Sequence, residues 1–410
     1  LILAPEAEEW QLLLAAPVAG KLATTGHAPL LLAVSTPPAE EAIEFVNRLG
    51  PKRALVLAAE PDEELSRGLE TLPADVLATG ADPTAAGFLV AEAVWGASER
   101  IVAAAPDDPA GRVLASTLAS HLGVPFVPVG READPALVAG ALDDLRVRTV
   151  LYVAAGWVAR PRWASGMRQR FEPLDLPAAE SLIVQRIGAR NIRNVVITRV
   201  TGEPGPAGVL SALAPGLSLA RRSFVACCYS ADPVEAENRV AESARRFGFA
   251  LRSATILGSK EMIGQVTFRD PAVLGEYEVP MEPCAWMFRA GADPLAVGRI
   301  PFEGVRNASL LLAQGFARER TLDLRTPRVL MISNPHSEYG MLPLCEVISR
   351  AGAEEVKNLR IKLDEFYRKV ADDAEILQAA VAADFIVYQG HVIDQRLFED
   401  IQPLLDFGED

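Results

Sequence analysis

The chain is poor in the residues that most catalytic and metal centres need, with four histidines and four cysteines in 410 residues. Cys227, Cys228, Cys284 and Cys345 include no CxxC spacing, which excludes a zinc-ribbon type site and a disulfide framework. Aromatic residues make up only 6%, so small aliphatic side chains must fill the cores. Positive charge is in deficit too: 40 basic against 54 acidic residues give a net charge of −14. A grip on nucleic-acid phosphates needs clustered positive charge, so nucleic acid is not expected as a partner. No apolar run approaches the roughly 20 residues of a membrane-spanning helix, and no signal peptide is visible. No phosphate loop is present either. Val18-Ala19-Gly20-Lys21 lacks the paired glycines and the following Ser or Thr, and no cofactor or metal is implied.

What is present is abundant apolar material, 50% of the chain, in short Ala/Val/Leu runs punctuated by Gly and Pro. That pattern predicts α/β architecture, and the length predicts two to four domains. The first three-quarters repeats with a period of roughly 95 residues. Leu14-Ala15-Ala16-Pro17-Val18-Ala19-Gly20-Lys21-Leu22 falls in line with Leu114-Ala115-Ser116-Thr117-Leu118-Ala119-Ser120-His121-Leu122. Each stretch follows a short apolar strand and precedes a second one, 29–34 or 124–129. An acidic amphipathic helix comes next, and then a third strand led by Arg53 or Arg148. A diverged third copy starts at Val195 and closes in a strand led by Arg252. Strand–helix alternation of this kind is the sequence form of right-handed βαβ crossovers. The expected fold is therefore three tandem Rossmann-like βα units, 1–100, 101–194 and 195–325, followed by a further parallel sheet in 326–410.

Ala16-Pro17-Val18-Ala19, Ala28-Pro29-Leu30-Leu31-Leu32 and Gly50-Pro51-Lys52-Arg53 carry a resemblance to the cell-wall-binding repeats of bacterial surface proteins. The Arg-Tyr-Glu-Thr-Ala signature of that family is reduced here to Pro83-Thr84-Ala85-Ala86 and Ala178-Ala179-Glu180-Ser181. The resemblance covers about residues 1 to 260. It implies an extracytoplasmic or cell-surface location and a cell-envelope polymer or protein as partner.

The last segment predicts strands over 328–333, 355–363 and 384–388, the third ending in Gln389-Gly390-His391. Ligands of open α/β sheets lie beyond the carboxyl ends of the strands. From about residue 290 onward, with Ala296-Val297-Gly298-Arg299-Ile300-Pro301 ahead of this segment, the chain resembles gingipain-like, caspase-like cysteine peptidases. The resemblance implies the start of a caspase-like sheet, His391 as general base, and the backbone N–H groups of Gly390 and Val392 near the oxyanion. Val392 stands where the family has a second glycine. The nucleophilic cysteine of that fold ends a fourth strand, expected beyond Asp410, so this segment alone is expected to be inactive. The chain opens directly in strand-like Leu1-Ile2-Leu3-Ala4 without Met, as a piece of a longer protein would. The alternative reading is a noncatalytic cell-wall or protein-binding module.

Other polar groups read as structural. His336 with Ser337 and Glu338 reads as a solvated loop, Cys345 as a helix core residue, and Asp293 with Arg299 as a bridge flanking a short strand. Asp107-Asp108 and Asp143-Asp144 read as helix-end charges. His27 and His121 fall on a loop and a helix. Arg53, Arg148 and Arg252 form the one set of equivalent charges across the three copies.

Overall fold

Short runs such as Ile101-Val102-Ala103-Ala104 and Phe224-Val225-Ala226-Cys227-Cys228 are apolar without alternation, which suits strands buried on both faces of a parallel sheet. The computed structural model describes residues 2–5, 9–27, 29–34, 40–58, 74–156, 160–200, 210–229 and 233–257. Beyond these it describes 265–270, 275–280, 296–300, 305–319, 327–333, 362–367 and 385–389, with single positions at 354, 379 and 383. The fold is α/β, and the chain divides into two units, Leu1–Phe316 and Ala317–Asp410.

The first unit contains the same four-stranded parallel sheet three times. The first sheet is built from β1 (Ile2–Pro5), β2 (Leu31–Val34), β3 (Ala54–Ala58) and β4 (Ala74–Ala78), in the order β2-β1-β3-β4. In the second, β5 (Arg100–Ala104), β6 (Phe126–Pro128), β7 (Thr149–Ala154) and β8 (Arg170–Asp175) take the order β6-β5-β7-β8. The third places β9 (Asn194–Arg199) between β10 (Phe224–Cys228) and β11 (Ser253–Leu257). Its fourth strand arrives only after an antiparallel pair, β12 (Gln265–Asp270) with β13 (Gly275–Pro280). That fourth strand is β14 (Ala296–Ile300), which runs parallel to β11.

The fourth strands are what the sequence reading lacked. β4 is exposed along most of its length, and β8 carries Arg170, Glu172 and Asp175 among its six residues. Strands at a sheet edge need no continuous apolar run, so they read as polar loops. The Ala296 to Ile300 stretch was associated with the segment ahead of a peptidase domain; here it completes the third sheet.

Nine helices are described: α1 (Glu9–Thr24), α2 (Glu40–Leu49), α3 (Pro83–Trp95), α4 (Pro109–Leu122), α5 (Pro135–Asp144), α6 (Leu176–Ile187), α7 (Ala214–Arg221), α8 (Pro233–Phe247) and α9 (Val305–Glu319). Several starts follow one rule. Asp82, Asp108, Asp134 and Asp175 each accept a backbone N–H of the first turn, and proline occupies the first or second helical position. Asp108 is thus a helix cap, and its second oxygen takes the Ala155 N–H at 2.6 Å, tying α4 to the end of β7.

Helices α1, α4 and α7, the first helix of each repeat, pack against one another. Their Ala/Gly/Ser composition permits this. A Cβ added to Gly20 would lie 2.1 Å from the Ser120 carbonyl oxygen. Pro17 sits inside α1 and has no N–H for the Leu13 carbonyl one turn earlier. That carbonyl instead accepts the Ser116 hydroxyl of α4 at 2.6 Å. At the other end of the bundle, half-buried Glu9 pairs with Arg112 at 3.1 Å and lies 3.5 Å from the Ser211 hydroxyl. One continuous core joins residues from all three repeats, from Ile2 to Ala308.

The last helix of each repeat also packs on the next sheet. Phe88 and Ala91 of α3 join Val127 and Val129 in the core of the second sheet. Glu180 of α6 pairs with Arg239 of α8 in the third repeat. Helix α9, which follows the third sheet, closes the circle: Leu310 and Ala313 pack with Leu32 and Val56 of the first sheet. Ser309 also bonds both the N–H and the carbonyl of Ala33, at 2.9 and 3.2 Å.

In the second unit β15 (Arg328–Ser333) lies between β16 (Lys362–Tyr367) and β17 (Phe385–Gln389), all parallel. The second strand therefore begins seven residues later than the predicted 355–363. Lys-Leu-Asp-Glu-Phe-Tyr mixes charge with apolar residues, as an outer strand can, and so lacked the apolar run that was sought.

Replacing Gly20 by Ala is expected to lower stability in urea unfolding by about 3 kcal/mol, because backbone rather than a side chain occupies the space. Gly140→Ala in α5, where nothing lies within 4 Å, should instead be neutral or raise stability by about 0.5–1 kcal/mol.

Candidate functional site

The residues singled out for chemistry at the end of the chain, Gly390, His391 and Val392, lie outside the described residues, as do His336, Cys284 and Cys345. Position 391 follows β17 by two residues in sequence. The side chains of Asp293 and Arg299 are likewise outside the description. The three equivalent arginines do not converge. Arg53 pairs with Asp75, and Arg148 with Glu99 at 3.3 Å, both largely exposed. Arg148 and Arg252 share a backbone role: each N–H, with that of the next residue, donates to one carbonyl just ahead of the neighbouring strand in the sheet, that of Glu99 before β5 or Arg193 before β9. They end loops.

Two polar clusters within the first unit are inert by construction. Cys227 is buried at the end of β10, and burial pushes its thiol up, reinforced by Cys228 and Glu180 and opposed by Arg239. A thiol so shielded is neither nucleophile nor ligand. Beside it Glu180 is 1% exposed, and its other oxygen, Oε2, has no hydrogen-bond partner among the described residues. Burial raises the Glu180 carboxyl above its usual range, and the Arg239 guanidinium opposes this. In the second repeat, Tyr152, Trp163 and Phe171 form a triangle with ring centroids 5.7–5.9 Å apart. Burial pushes the Tyr152 hydroxyl up to about 12, so it stays neutral. This triangle is core packing.

The arrangement with binding chemistry lies at the opposite, amino end of the second sheet. Strand register puts Arg100 of β5, Thr149 of β7 and Arg170 of β8 in one row. Adjacent strands lie about 4.8 Å apart, so the two arginine backbones stand roughly 10 Å apart and present their side chains on one face. The next row on that face contains Leu151 and Glu172. Helix α6 adds Leu182, Gln185 and Arg186, and Leu122 completes a cleft of about 470 Å³. Arg170 bonds Glu172 at 2.7 Å, and Arg186 donates Nε to the His121 carbonyl at 3.0 Å, which orients both guanidinium groups. Three cations against one carboxylate leave the cleft positive in a chain of net charge −14. The same row holds Asn194, Ser253 and Ala296 in the third sheet, so the charge belongs to the second repeat. Sequence reading missed the cleft because Arg170 sits on the unrecognised strand β8.

A second cleft, of about 610 Å³, opens at the carboxyl end of the same sheet between Ala155, Gly156, Pro173, Leu174, Asp175 and Tyr229. Its one side-chain charge, Asp175, is engaged as the cap of α6. Among the described residues no group of three or more His, Cys, Asp or Glu is placed to hold a metal ion. No described helix is long and apolar enough to cross a membrane.

The thiol assignment predicts that Cys227 resists iodoacetamide at pH 8 in the folded chain and is alkylated only with denaturant, as read by peptide mass mapping. Labelling of native Cys227 at the rate of a free thiol would contradict the burial described.

No family model matches the chain, and no curated protein matches it. Among solved structures it is similar to Cwp6 from Clostridium difficile, at 10% identity and a TM-score of 0.47, covering 94% of this chain and 58% of that one. Cwp8 from Clostridium difficile gives 11% identity and a TM-score of 0.42, with 77% of this chain and 47% of that one covered. The chain thus spans about half the length of the structures it matches.

Proposed function

We propose that the three-repeat unit is a noncatalytic binding module of a cell-surface protein, and that it holds an anionic envelope polymer through the Arg100, Arg170 and Arg186 cleft. The observation that carries this reading is the register-matched pair of arginines in an otherwise acidic chain. Guanidinium groups recognise carboxylate and phosphate by paired hydrogen bonds. The local positive charge spares a polyanion the repulsion it would meet over the rest of the surface. The resemblance of Ala16 to Ala19, Ala28 to Leu32 and Gly50 to Arg53 to cell-wall-binding repeats supports the extracytoplasmic setting.

The test compares poly(glycerol phosphate) and polygalacturonate with neutral dextran as probes. The module should bind one or both polyanions, weaken with salt, and ignore dextran. Exchanging both Arg100 and Arg170 for Ala should reduce affinity about tenfold, the loss of one good charged hydrogen bond or more. Equal retention of dextran and polyanion, or unchanged affinity in the double variant, would sink the proposal.

A second reading concerns the other unit, and we propose it as a peptidase-type domain with His391 as general base. Its support is the parallel β16-β15-β17 order together with Gly390-His391 directly after β17 in the sequence. A histidine near neutral pKa activates a cysteine, and backbone amides such as those of Gly390 and Val392 stabilise the oxyanion. In a longer chain that includes a cysteine at the end of a fourth strand, His391→Ala should abolish peptide cleavage; turnover at the wild-type rate would exclude His391 as the base.

A further inference from the structure

The positive cleft at the amino end of the second sheet continues along β8. That strand runs from Arg170 to Asp175, and α6 returns beside it from Leu176 to Ile187. Between them lies a further cleft of about 700 Å³. It shares Glu172, Leu182 and Gln185 with the arginine cleft. It shares Leu174, Asp175 and Pro177 with the cleft that Tyr229 lines. The three are one groove, which follows β8 over its six residues, a length of about 20 Å.

Arginines occupy this groove at two places. Arg100, Arg170 and Arg186 stand at its amino end. Midway, exposed Arg246 of α8 donates to the Pro177 carbonyl at 3.3 Å and to the Ser181 hydroxyl at 3.4 Å. The Phe247 ring, its centroid 4.9 Å from the guanidinium carbon, supports the same side chain. Both hydrogen-bond partners are neutral, and the buried carboxylate that Arg246 acts on, Glu180, is already paired with Arg239. Ser181 and Arg186 are five residues apart on α6, a rise of about 7.5 Å, so positive charge recurs along the groove. The carboxylates that line it are engaged, Glu172 by Arg170 and Asp175 as the cap of α6.

The strand wall limits what can lie there. The Arg170 N–H bonds the Arg148 carbonyl just before β7, so Arg170, Glu172 and Leu174 turn their backbone groups toward β7. The free edge then belongs to Phe171, Pro173 and Asp175. Pro173 has no N–H, so a peptide strand laid along β8 would lack the central donor of that edge. Guanidinium groups read a ligand by its anionic side groups instead.

We propose that the groove binds a linear polyanion lengthwise, along α6, with Arg246 as a second anchor apart from the arginine cleft. This rests on the reading of that cleft as an anion site and adds length to it. The ligand is a chain of several anionic units rather than a single charged end.

The experiment measures, by calorimetry on the full chain, the affinity for oligogalacturonates and oligo(glycerol phosphates) from the dimer to the polymer. Affinity should climb steeply until the oligomer spans the roughly 20 Å of the groove, and slowly thereafter. Arg246→Gln should cost the long oligomers about tenfold, the loss of one charged hydrogen bond, and leave the dimers unaffected. Arg245→Gln removes an equal charge from a neighbouring side chain that bonds its own helix at the Ala241 carbonyl, and should change neither. Equal affinity for short and long oligomers, or equal losses in the two variants, would overturn lengthwise binding. If Arg100 and Arg170 exchanged for Ala still weaken the dimers in that case, the cleft reading survives alone. Failure of every oligomer to bind would remove the cleft reading, and the groove with it. An oligoglutamate held more tightly than an oligogalacturonate of equal charge would point to a strand along β8 and overturn the proposal as well.

Discussion

The close approach of α1, α4 and α7 is the constraint on which the first unit rests. Three parallel sheets can share one core only if the helices between them leave no bulk at the axis. Gly20 against Ser120 meets that requirement at a distance no other residue could share. Proline contributes in an unexpected way: Pro17 strips the Leu13 carbonyl of its helical partner, and Ser116 of the neighbouring repeat takes it. A defect in one helix thereby becomes a contact between two. The bundle is small-residue packing stitched by a few short polar bonds, which explains how a chain with 6% aromatic residues closes so large a core.

Threefold likeness of backbone does not carry threefold chemistry. The fifth residue of each closing helix is Gly87 in α3, Glu180 in α6 and Ser309 in α9. Gly87 lies where a Cβ would meet Val127 and Pro128 at 2.9 Å, whereas Ser309 hydrogen-bonds Ala33. Glu180 instead reaches Arg239. One position in the repeat is thus filled by contact, by hydrogen bond and by charge. The arginine cleft obeys the same logic, since only the second sheet bears Arg at both ends of its row. The frame recurs three times, and its polar side chains differ in each.

Much of that frame was legible in the sequence. The apolar runs at Ile101, Phe224 and Arg328 are strands, and the Ala-rich segments are first helices, because burial on both faces leaves a continuous apolar signature. Three outer strands do not write that signature. β4 is wet along its length, β8 is charged, and β16 mixes Asp and Glu with Leu and Phe. Each was missed or misplaced because exposure or charge breaks the apolar run, which β10, also at an edge, keeps. The arginine cleft was illegible for a related reason, as it exists only once register sets β5, β7 and β8 side by side. His121 was noticed merely as a helical histidine. Its partners, Ser218 and Arg186, come from two other helices, and no local pattern reports them.

The return of α9 to the first sheet has a consequence for how the protein is made. Ala33 and Ser309 are 276 residues apart, yet their hydrogen bonds seal the face of the first sheet. A ribosome delivers the amino-terminal strands early and their cover last. Until α9 emerges, the cluster of Leu32, Ala42, Val46 and Val56 lacks the cover of Leu310 and Ala313. Such non-local contacts form slowly and leave apolar surface open to aggregation in the interval. During synthesis the first repeat therefore depends on the tail of the third, and on whatever shields its open face while the chain is still growing.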